Sequence, residues 1–207
     1  MISPKSMPSS SHSPEPSENE RDRWNRKYSE DRVPSLSPDS FLPWAFSKYV
    51  LPLFPHGGSA LDLAGGAGRH AIWMAQQGWE VTLIDISETG VEQARADAGS
   101  LATHINFVVD DLTRFKASQT QFDVVMAFFY LERAIFPEIV EAVRPGGLLI
   151  YKTYTEAQAN LGNGPKSLNH LLKADELLRW TGMLRTLHYR EVVAERATAE
   201  LVARKEI

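Results

Sequence analysis

The sequence predicts an α/β protein: a doubly wound, seven-stranded, mostly parallel sheet that closes with a C-terminal antiparallel hairpin. First, apolar strand-like runs alternate with helical patterns between residues 60 and 153, the rhythm of parallel strands joined by right-handed crossovers. Second, a glycine-rich turn, LDLAGGAGRHA (Leu61–Ala71), joins the first strand to a helix. Third, two β-rich runs near the C-terminus are separated only by residues 194–197. That link is too short for a helical crossover, so these two strands must be antiparallel.

Each predicted strand is an apolar run that ends at a polar or glycine-rich turn. The predicted strands are Ala60–Ala64, Glu80–Ile84, Ile105–Val109, Phe122–Phe129, Leu148–Thr153, Thr186–Val193 and Thr198–Lys205. The fourth is nearly all apolar, which is typical of a central strand buried on both faces. Five helices are predicted: Asp39–Leu53, Arg69–Gln77, a helix from Ser87 to Ala98, Pro137–Val143 and Ala174–Gly182. Pro43 lies near the first turn of the first helix, Gly78 ends the second, and Ser87 caps the third.

Composition favours one compact domain preceded by a tail. A chain of 207 residues with 43% hydrophobic residues can bury one sizeable core. Residues 1–20 are Ser, Pro and Glu with almost no large apolar side chains, which predicts a disordered tail and leaves 21–207 as the single domain. Trp24 and Tyr28 then share one face of a short helix that starts at Arg21. This helix either packs on the domain edge or covers a ligand site.

Charge and cysteine content exclude several classes of function. A net charge of −4 lacks the basic footprint of a nucleic-acid-binding protein. The absence of cysteine excludes disulfides, thiolate metal ligands and a cysteine nucleophile. The first residues lack the apolar core of a signal peptide, and no run approaches the roughly 18 apolar residues of a membrane helix. We expect a cytoplasmic monomer or homodimer that acts on a small molecule, without a nucleic-acid partner, a membrane partner or a metal.

The glycine turn is compatible with two cofactors. GAGRHA (residues 66–71) satisfies the G-x-G-x-x-G/A pattern of dinucleotide binding, although this match alone is weak. Asp62, inside the preceding strand, suits a ligand with an ammonium group or a buried hydrogen bond to the glycine loop. Asp85, at the tip of the second strand, would accept hydrogen bonds from ribose hydroxyls of either cofactor. Asp110 and Asp111, at the tip of the third, favour a ligand whose adenine amino group lies there.

The chain resembles class I S-adenosylmethionine-dependent methyltransferases from about Trp24 to its C-terminus. The resemblance is carried by LDLAGGAGRHA, VTLIDIS, FVVDDL, FDVVMAFF and RPGGLLIYKTY, in the family's order, and by the closing antiparallel hairpin. Within the family, GRHA, RPGGLLIY and LVARKE are most similar to small bacterial enzymes of the tellurite-resistance and thiopurine methyltransferase type. The resemblance implies S-adenosyl-L-methionine as the cofactor.

The resemblance also implies a role for each part of the site. The backbone of the glycine loop would lie under the methionine and ribose portions, and Asp85 would bind the ribose hydroxyls. Asp111, or Asp110 in its place, would receive the adenine amino group, while Leu112 packs against the ring. The end of the fourth strand would face the methionine moiety and the sulfonium. The implied cofactor-binding residues are Asp62, Ala64, Gly65, Gly66, Gly68, Asp85, Ile86, Asp110, Asp111, Leu112, Ala127 and Phe128.

The sequence identifies no catalytic residue. A sulfonium is an activated methyl donor, so the protein mainly has to align the acceptor and exclude water. The segment FFYLERAIF leaves the fourth strand beside the methyl group, and its polar members Tyr130, Glu132 and Arg133 are candidates for acceptor binding. Glu132 and Arg133 could instead simply open the following helix and face solvent. Tyr154 and His70 are further candidates for the pocket.

Three functions stay open at this point. The leading hypothesis is methyl transfer to a small molecule, with a thiol or chalcogen nucleophile as the candidate acceptor. The second is an NAD(P)-dependent oxidoreductase, based on the G-x-G-x-x-A pattern. The third is a catalytically inactive S-adenosylmethionine-binding protein, which the sequence leaves open because the family has no obligatory catalytic residue to look for.

Overall fold

The computed structural model describes residues 19–30, 36–117 and 121–207. Nearly all of the predicted disordered tail, residues 1–20, lies outside these ranges, so the tail stays a prediction. The first described element is helix α1 (Glu20–Glu30), which contains Trp24 and Tyr28. It corresponds to the short helix expected from Arg21 onward.

A seven-stranded sheet forms the centre of the fold. Its strands are β1 (Ser59–Leu63), β2 (Glu80–Asp85), β3 (Ile105–Val109), β4 (Phe122–Phe128), β5 (Val143–Tyr154), β6 (Arg185–Val193) and β7 (Ala197–Arg204). They lie in the order β3-β2-β1-β4-β5-β7-β6. The first five strands pair in parallel, and β7 runs antiparallel to both β5 and β6. The predicted doubly wound sheet and its C-terminal hairpin are confirmed.

Helices cover both faces of the sheet. They are α1, α2 (Phe41–Ala45), a π-helix (Phe46–Val50), α3 (Leu51–Leu53), α4 (Arg69–Gln76), α5 (Glu88–Ala98), α6 (Phe136–Ala142) and α7 (Glu176–Trp180). Side chains alternate along a strand, so β4 sends Val124 and Met126 to a core shared with α2, α4 and α5. Its Val125 and Ala127 point to a second core shared with α6 and α7. In the described ranges, no helix has the length and apolar character needed to cross a membrane.

The helix expected over Asp39–Leu53 differs in its start and its middle. It begins at Phe41, because the Asp39 carboxylate accepts the Phe41 N–H at 3.0 Å. In its middle the ladder widens, with the Leu51 N–H donating to the Phe46 carbonyl five residues earlier. Pro52 accounts for this turn, since a proline has no N–H and its ring crowds the carbonyl four residues before it.

Strand β5 is longer than expected, because it begins at Val143 rather than Leu148. Val143 pairs with Phe122 on β4 before a shift in register. The predicted turn over residues 144–147 is an irregular part of β5. There Gly146 takes a φ of +82° and donates its N–H to the Lys205 carbonyl at 2.8 Å.

The helix expected over Ala174–Gly182 is also shorter, and it spans only Glu176–Trp180. Asp175 takes a left-handed φ of +56°, so the helix cannot extend back through it.

Candidate active site

The glycine loop, residues 64–68, connects β1 to α4 at the carboxyl edge of the sheet. Ala64, Gly66 and Gly68 have positive φ angles of 55°, 54° and 80°, a region that favours glycine. At Gly68 a side chain would also collide with α5, since a Cβ there would lie 2.7 Å from the Ala94 Cβ. The carboxyl edge of such a sheet is where ligands bind in this class of fold.

Asp85, at the tip of β2, holds this loop in place. Its Oδ2 accepts the Gly66 N–H at 2.8 Å, and its Oδ1 accepts the Ser87 N–H at 2.8 Å. The side chain is buried, which raises the pKa of the carboxyl despite these donors. The Asp85 carboxylate thus holds the Gly66 amide in place. The sequence analysis expects the same carboxylate to bind the ribose hydroxyls.

Asp62 lies beneath the loop and is only 1% exposed. Its Oδ2 accepts the Ala71 N–H at 3.1 Å, so the carboxylate anchors the first turn of α4. The sequence left a buried hydrogen bond to the glycine loop as one alternative. The carboxylate does accept a buried hydrogen bond, but the donor lies in α4 rather than in the loop. Oδ1 has no hydrogen-bond partner among the described residues, and burial raises the pKa of the carboxyl to about 7. A buried acceptor without a partner requires a donor, which a ligand ammonium group or a water would supply.

Asp110 and Asp111 follow β3 beside the tip of β2. The Asp110 N–H donates to the Asp85 carbonyl at 3.0 Å, which joins the two tips. Asp111 Oδ1 accepts both the N–H and the hydroxyl of Thr113, at 2.9 and 2.7 Å, and these bonds lower the pKa of its carboxyl. Leu112 is buried beside them. The structure therefore brings the acidic tips of β2 and β3 together, next to the glycine loop.

Helix α1 lies across the glycine loop, a placement that the sequence left open. A Cβ on Gly66 would overlap the Tyr28 hydroxyl oxygen, and that oxygen accepts the Ala67 N–H. Asn25 Oδ1 accepts the Ser87 hydroxyl at 2.7 Å and the Thr89 N–H at 3.2 Å. The i, i+4 spacing of Trp24 and Tyr28 signalled the helix, but nothing in the sequence identified its contact with the loop.

The end of β4 differs in detail from the expectation for Ala127 and Phe128. Both side chains are buried in the two cores, and the Phe128 ring stacks on His70 with 4.0 Å between centroids. The next residue, Phe129, is partly exposed at the edge of the sheet and has a φ of +59°. The side chain that β4 presents at this edge is therefore that of Phe129, which sequence reasoning missed.

His70 has a structural role. Its Nε2 accepts the Asp39 N–H at 3.2 Å, and burial lowers the pKa of the imidazole to about 3. The ring is therefore neutral and holds the segment that leads into α2.

Glu132 and Arg133 are also occupied by the fold. Glu132 Oε1 accepts the Ala134 N–H at 3.0 Å and so caps a short 3-10 turn, Arg133–Ile135. Arg133 pairs with Glu176 at 2.8 Å and donates to the carbonyls of residues 169 and 171. Glu132 thus opens the turn before the following helix, as that alternative expects, but Arg133 pairs with Glu176 instead of facing solvent.

Two tyrosines among the candidates do lie near the site. Burial raises the pKa of the partly exposed Tyr130, and the carboxylates of Glu132, Asp111 and Asp85 raise it further. The Tyr154 ring lies 5.1 Å from the Phe129 ring, centroid to centroid. Tyr154 is the last residue of β5, which lies on the side of β4 away from the acidic tips.

Residues 60–147 match the profile of a family described as a methyltransferase domain. This range contains β1 to β4, the glycine loop and the acidic residues at the ends of β2 and β3. The matched range is therefore similar to a methyltransferase domain. This match favours the methyltransferase interpretation of GAGRHA over the dinucleotide interpretation.

Relatives and solved structures place the methyltransferase domain in context. The YqeM protein of Bacillus subtilis is 29% identical over 119 residues, which cover 53% of this chain and 48% of that relative. A ubiquinone biosynthesis O-methyltransferase of Idiomarina loihiensis is 28% identical over 145 residues, 60% of each chain. The chain thus spans about half to three-fifths of the length of these relatives.

Two solved structures share the fold at low identity. The N-methyltransferase NodS of Bradyrhizobium japonicum, solved with S-adenosylhomocysteine, aligns with a TM-score of 0.68 and 17% identity over 89% of this chain and 97% of NodS. TehB of Haemophilus influenzae aligns with a TM-score of 0.66 and 17% identity over 90% of this chain and 67% of TehB. These likenesses show that the methyltransferase domain has the same fold as both proteins.

The glycine loop and the acidic residues around it fit the chemical groups of S-adenosylmethionine. The backbone at Gly66 has no room for a side chain of its own, because a Cβ there would overlap the Tyr28 hydroxyl, and the unpartnered Oδ1 of Asp62 matches the ammonium group of a methionine moiety. Acidic groups at Asp85 and Asp111 can accept hydrogen bonds from hydroxyl and amino groups. The individual binding roles expected for these residues stay predictions.

Proposed function

We propose that this protein transfers a methyl group from S-adenosylmethionine to a small-molecule acceptor. The observation that carries the proposal is the bond from the Gly66 N–H to Asp85, which joins a glycine loop to an acidic strand tip inside the family match. S-adenosylmethionine supplies an electrophilic methyl group on a sulfonium when it is bound. The chain's own part is to bind, to orient and to exclude water.

The proposed binding roles follow the order of the strands. The glycine loop, residues 64–68, and Asp62 would hold the methionine portion, with the backbone of Ala127 and Phe128 beside it. Asp85, with Ile86, would hold the ribose hydroxyls. Asp111 or Asp110 would accept the adenine amino group, and Leu112 would pack on the adenine ring.

Helix α1 would exclude water from this site. Its Tyr28 already contacts the loop at Gly66 and Ala67, and Asn25 ties it to the first turn of α5. No described side chain is required as a base, because an acceptor that is already ionised or strongly nucleophilic needs alignment alone.

The acceptor chemistry is best found by direct assay. A thiol or chalcogen nucleophile is the first candidate, from the resemblance to small bacterial enzymes. The names of the relatives add oxygen and nitrogen acceptors, since one is an O-methyltransferase and the other an N-methyltransferase. The cytoplasmic location and the monomeric or dimeric state remain predictions from the sequence.

The experiment is incubation of the purified protein with methyl-labelled S-adenosylmethionine and a panel of thiols, phenols, amines and metalloid oxyanions. The proposal expects labelled methyl on at least one acceptor class and stoichiometric S-adenosylhomocysteine. Tight cofactor binding with no turnover across the panel would instead favour a catalytically inactive binding protein.

A further inference from the structure

Three cationic side chains converge on the ring of Phe129 at the carboxyl edge of β4. Arg69 from the start of α4, Lys152 from β5 and Arg196 from the link before β7 lie 5.6, 5.8 and 5.3 Å from the ring centroid. Phe129 is held there by its N–H, which donates to the Lys152 carbonyl at 2.7 Å. A non-glycine residue with a φ of +59° is strained, and such strain concentrates at functional sites.

The charges around this ring are only partly compensated. Lys152 pairs with Asp39 at 2.8 Å and with Glu200 at 3.1 Å, and Glu200 also pairs with Arg190 at 2.6 Å. Arg69 and Arg196, in contrast, form no ion pair with a carboxylate in the described part of the chain. Both guanidinium groups lie within 6 Å of the same ring centroid, so both add positive potential beside the ring, which favours an anion there.

A cleft of about 490 Å³ opens beside these side chains. Its charged lining residues are Lys152, Arg196, Glu195 and Glu200, and the Glu200 carboxylate is already paired with Lys152 and Arg190. Its volume suits a small organic molecule. The Phe129 ring lies against two of the lining side chains, Lys152 and Arg196, and the Tyr154 ring lies 5.1 Å from it, centroid to centroid.

The cleft lies where a methyl acceptor would bind, beside the proposed cofactor site rather than in it. β5 and β7 lie on the side of β4 opposite to β1, β2 and β3, which carry the glycine loop and the acidic tips. Arg196 and Lys152 belong to that opposite side, while Arg69 follows the glycine loop directly. A molecule between Arg69 and Arg196 would therefore adjoin the methionine end of the cofactor site.

We propose that this cleft binds the methyl acceptor and that the acceptor is a small aromatic carboxylate, held between Arg69 and Arg196 against the Phe129 ring. The inference rests on the proposed function and names the substrate class of the same site. Guanidinium groups suit it, because their planar donors match a carboxylate and their faces stack on aromatic rings.

The test compares benzoate with benzamide, which have the same shape but differ in charge. Binding of each to the protein saturated with S-adenosylhomocysteine is measured by ligand-observed NMR titration. We expect benzoate to bind about tenfold more tightly than benzamide and Arg196→Gln to remove that preference. Arg185→Gln removes the same charge from the exposed far end of the same hairpin and is expected to change neither affinity.

The outcomes separate this inference from the proposed function. S-adenosylhomocysteine binding with no preference for benzoate would overturn the inference and leave the proposed function intact. Benzoate binding to a protein that does not bind S-adenosylhomocysteine would contradict both, since the cleft would then not be an acceptor site.

Two further measurements test the parts of the proposal. Arg69→Gln is expected to weaken benzoate binding, and a loss confined to S-adenosylhomocysteine would assign Arg69 to the cofactor and refute the shared anion site. Sulfate is expected to displace benzoate only weakly, because it gains nothing from Phe129. Displacement by sulfate at equal concentration would mean that an inorganic oxyanion, rather than an aromatic carboxylate, is the ligand.

Discussion

Asp85 shows, at the scale of single residues, how the strand-tip carboxylates work. It accepts N–H groups from Gly66 and Ser87 at 2.8 Å each, so it positions the glycine loop and the start of α5 at once. Asp111 does the same for the turn at Thr113. The sequence predicted these residues as ligand contacts, and the structure adds that they first organise the backbone to which the ligand would bind.

Asp85→Ala is expected to weaken S-adenosylhomocysteine binding by about tenfold or more. Hydrogen bonds to a charged group contribute about 1.5–3 kcal/mol each, and the substitution removes the loop contact together with the proposed ribose contact. Isothermal titration measures the affinity. Asp97→Ala, an exposed carboxylate on α5, is the matched control. Equal affinities for the Asp85 variant and the unsubstituted protein would contradict the proposed role.

Asp62 should make the stability of the protein pH-dependent. Its pKa in the folded chain is about 7, above the value of about 3.9 for an unperturbed aspartate. The folded state therefore binds the proton more tightly, and stability is lost as the pH rises from about 4 to about 7. Asp62→Asn keeps an oxygen for the Ala71 N–H but cannot ionise.

Urea unfolding of both proteins between pH 4 and pH 8 measures this effect. We expect the stability of the variant relative to the unsubstituted protein to increase up to about pH 7 and then to level off. Two curves that stay parallel across the whole range would show that the Asp62 carboxyl does not titrate as argued.

At the scale of elements, local patterns predicted most strands to within one or two residues. Apolar runs bounded by polar tips specify where β1, β2, β3 and β4 begin and end, and Ser87 capped α5 as expected. Other features depend on contacts distant in sequence. The extension of β5 needs the Lys205 carbonyl to bond Gly146, and the placement of α1 needs Ser87 and Gly66 beside it.

We expect Asn25 to hold helix α1 against the start of α5 as strongly as Tyr28 holds it against the glycine loop. Asn25→Ala removes acceptors for the Ser87 hydroxyl and the Thr89 N–H, so α1 should separate from α5 more readily. Hydrogen exchange across residues 20–30 should become faster, while exchange in β4 stays unchanged. Asp22→Ala, on an exposed position of the same helix, should leave α1 exchange as it is. Unchanged exchange in the Asn25 variant would assign the docking to other contacts.

At the scale of the whole molecule, topology decides which sites the sequence could reveal. Parallel pairing of β1, β2 and β3 brings their carboxyl ends to one edge, so the acidic tips could be grouped in advance. The cluster around Phe129 could not, because Arg69, Lys152 and Arg196 come from three separate elements. No local spacing links them, and only the folded sheet brings them to one ring.

Parallel isothermal titration of the full chain with S-adenosylhomocysteine and NADH tests the central claim most directly. The account predicts binding of S-adenosylhomocysteine at micromolar strength and no heat of binding for NADH, because the loop, Asp62 and Asp85 would hold the methionine and ribose portions. Binding of NADH with none of S-adenosylhomocysteine would contradict it, and would mean that the glycine turn serves a dinucleotide.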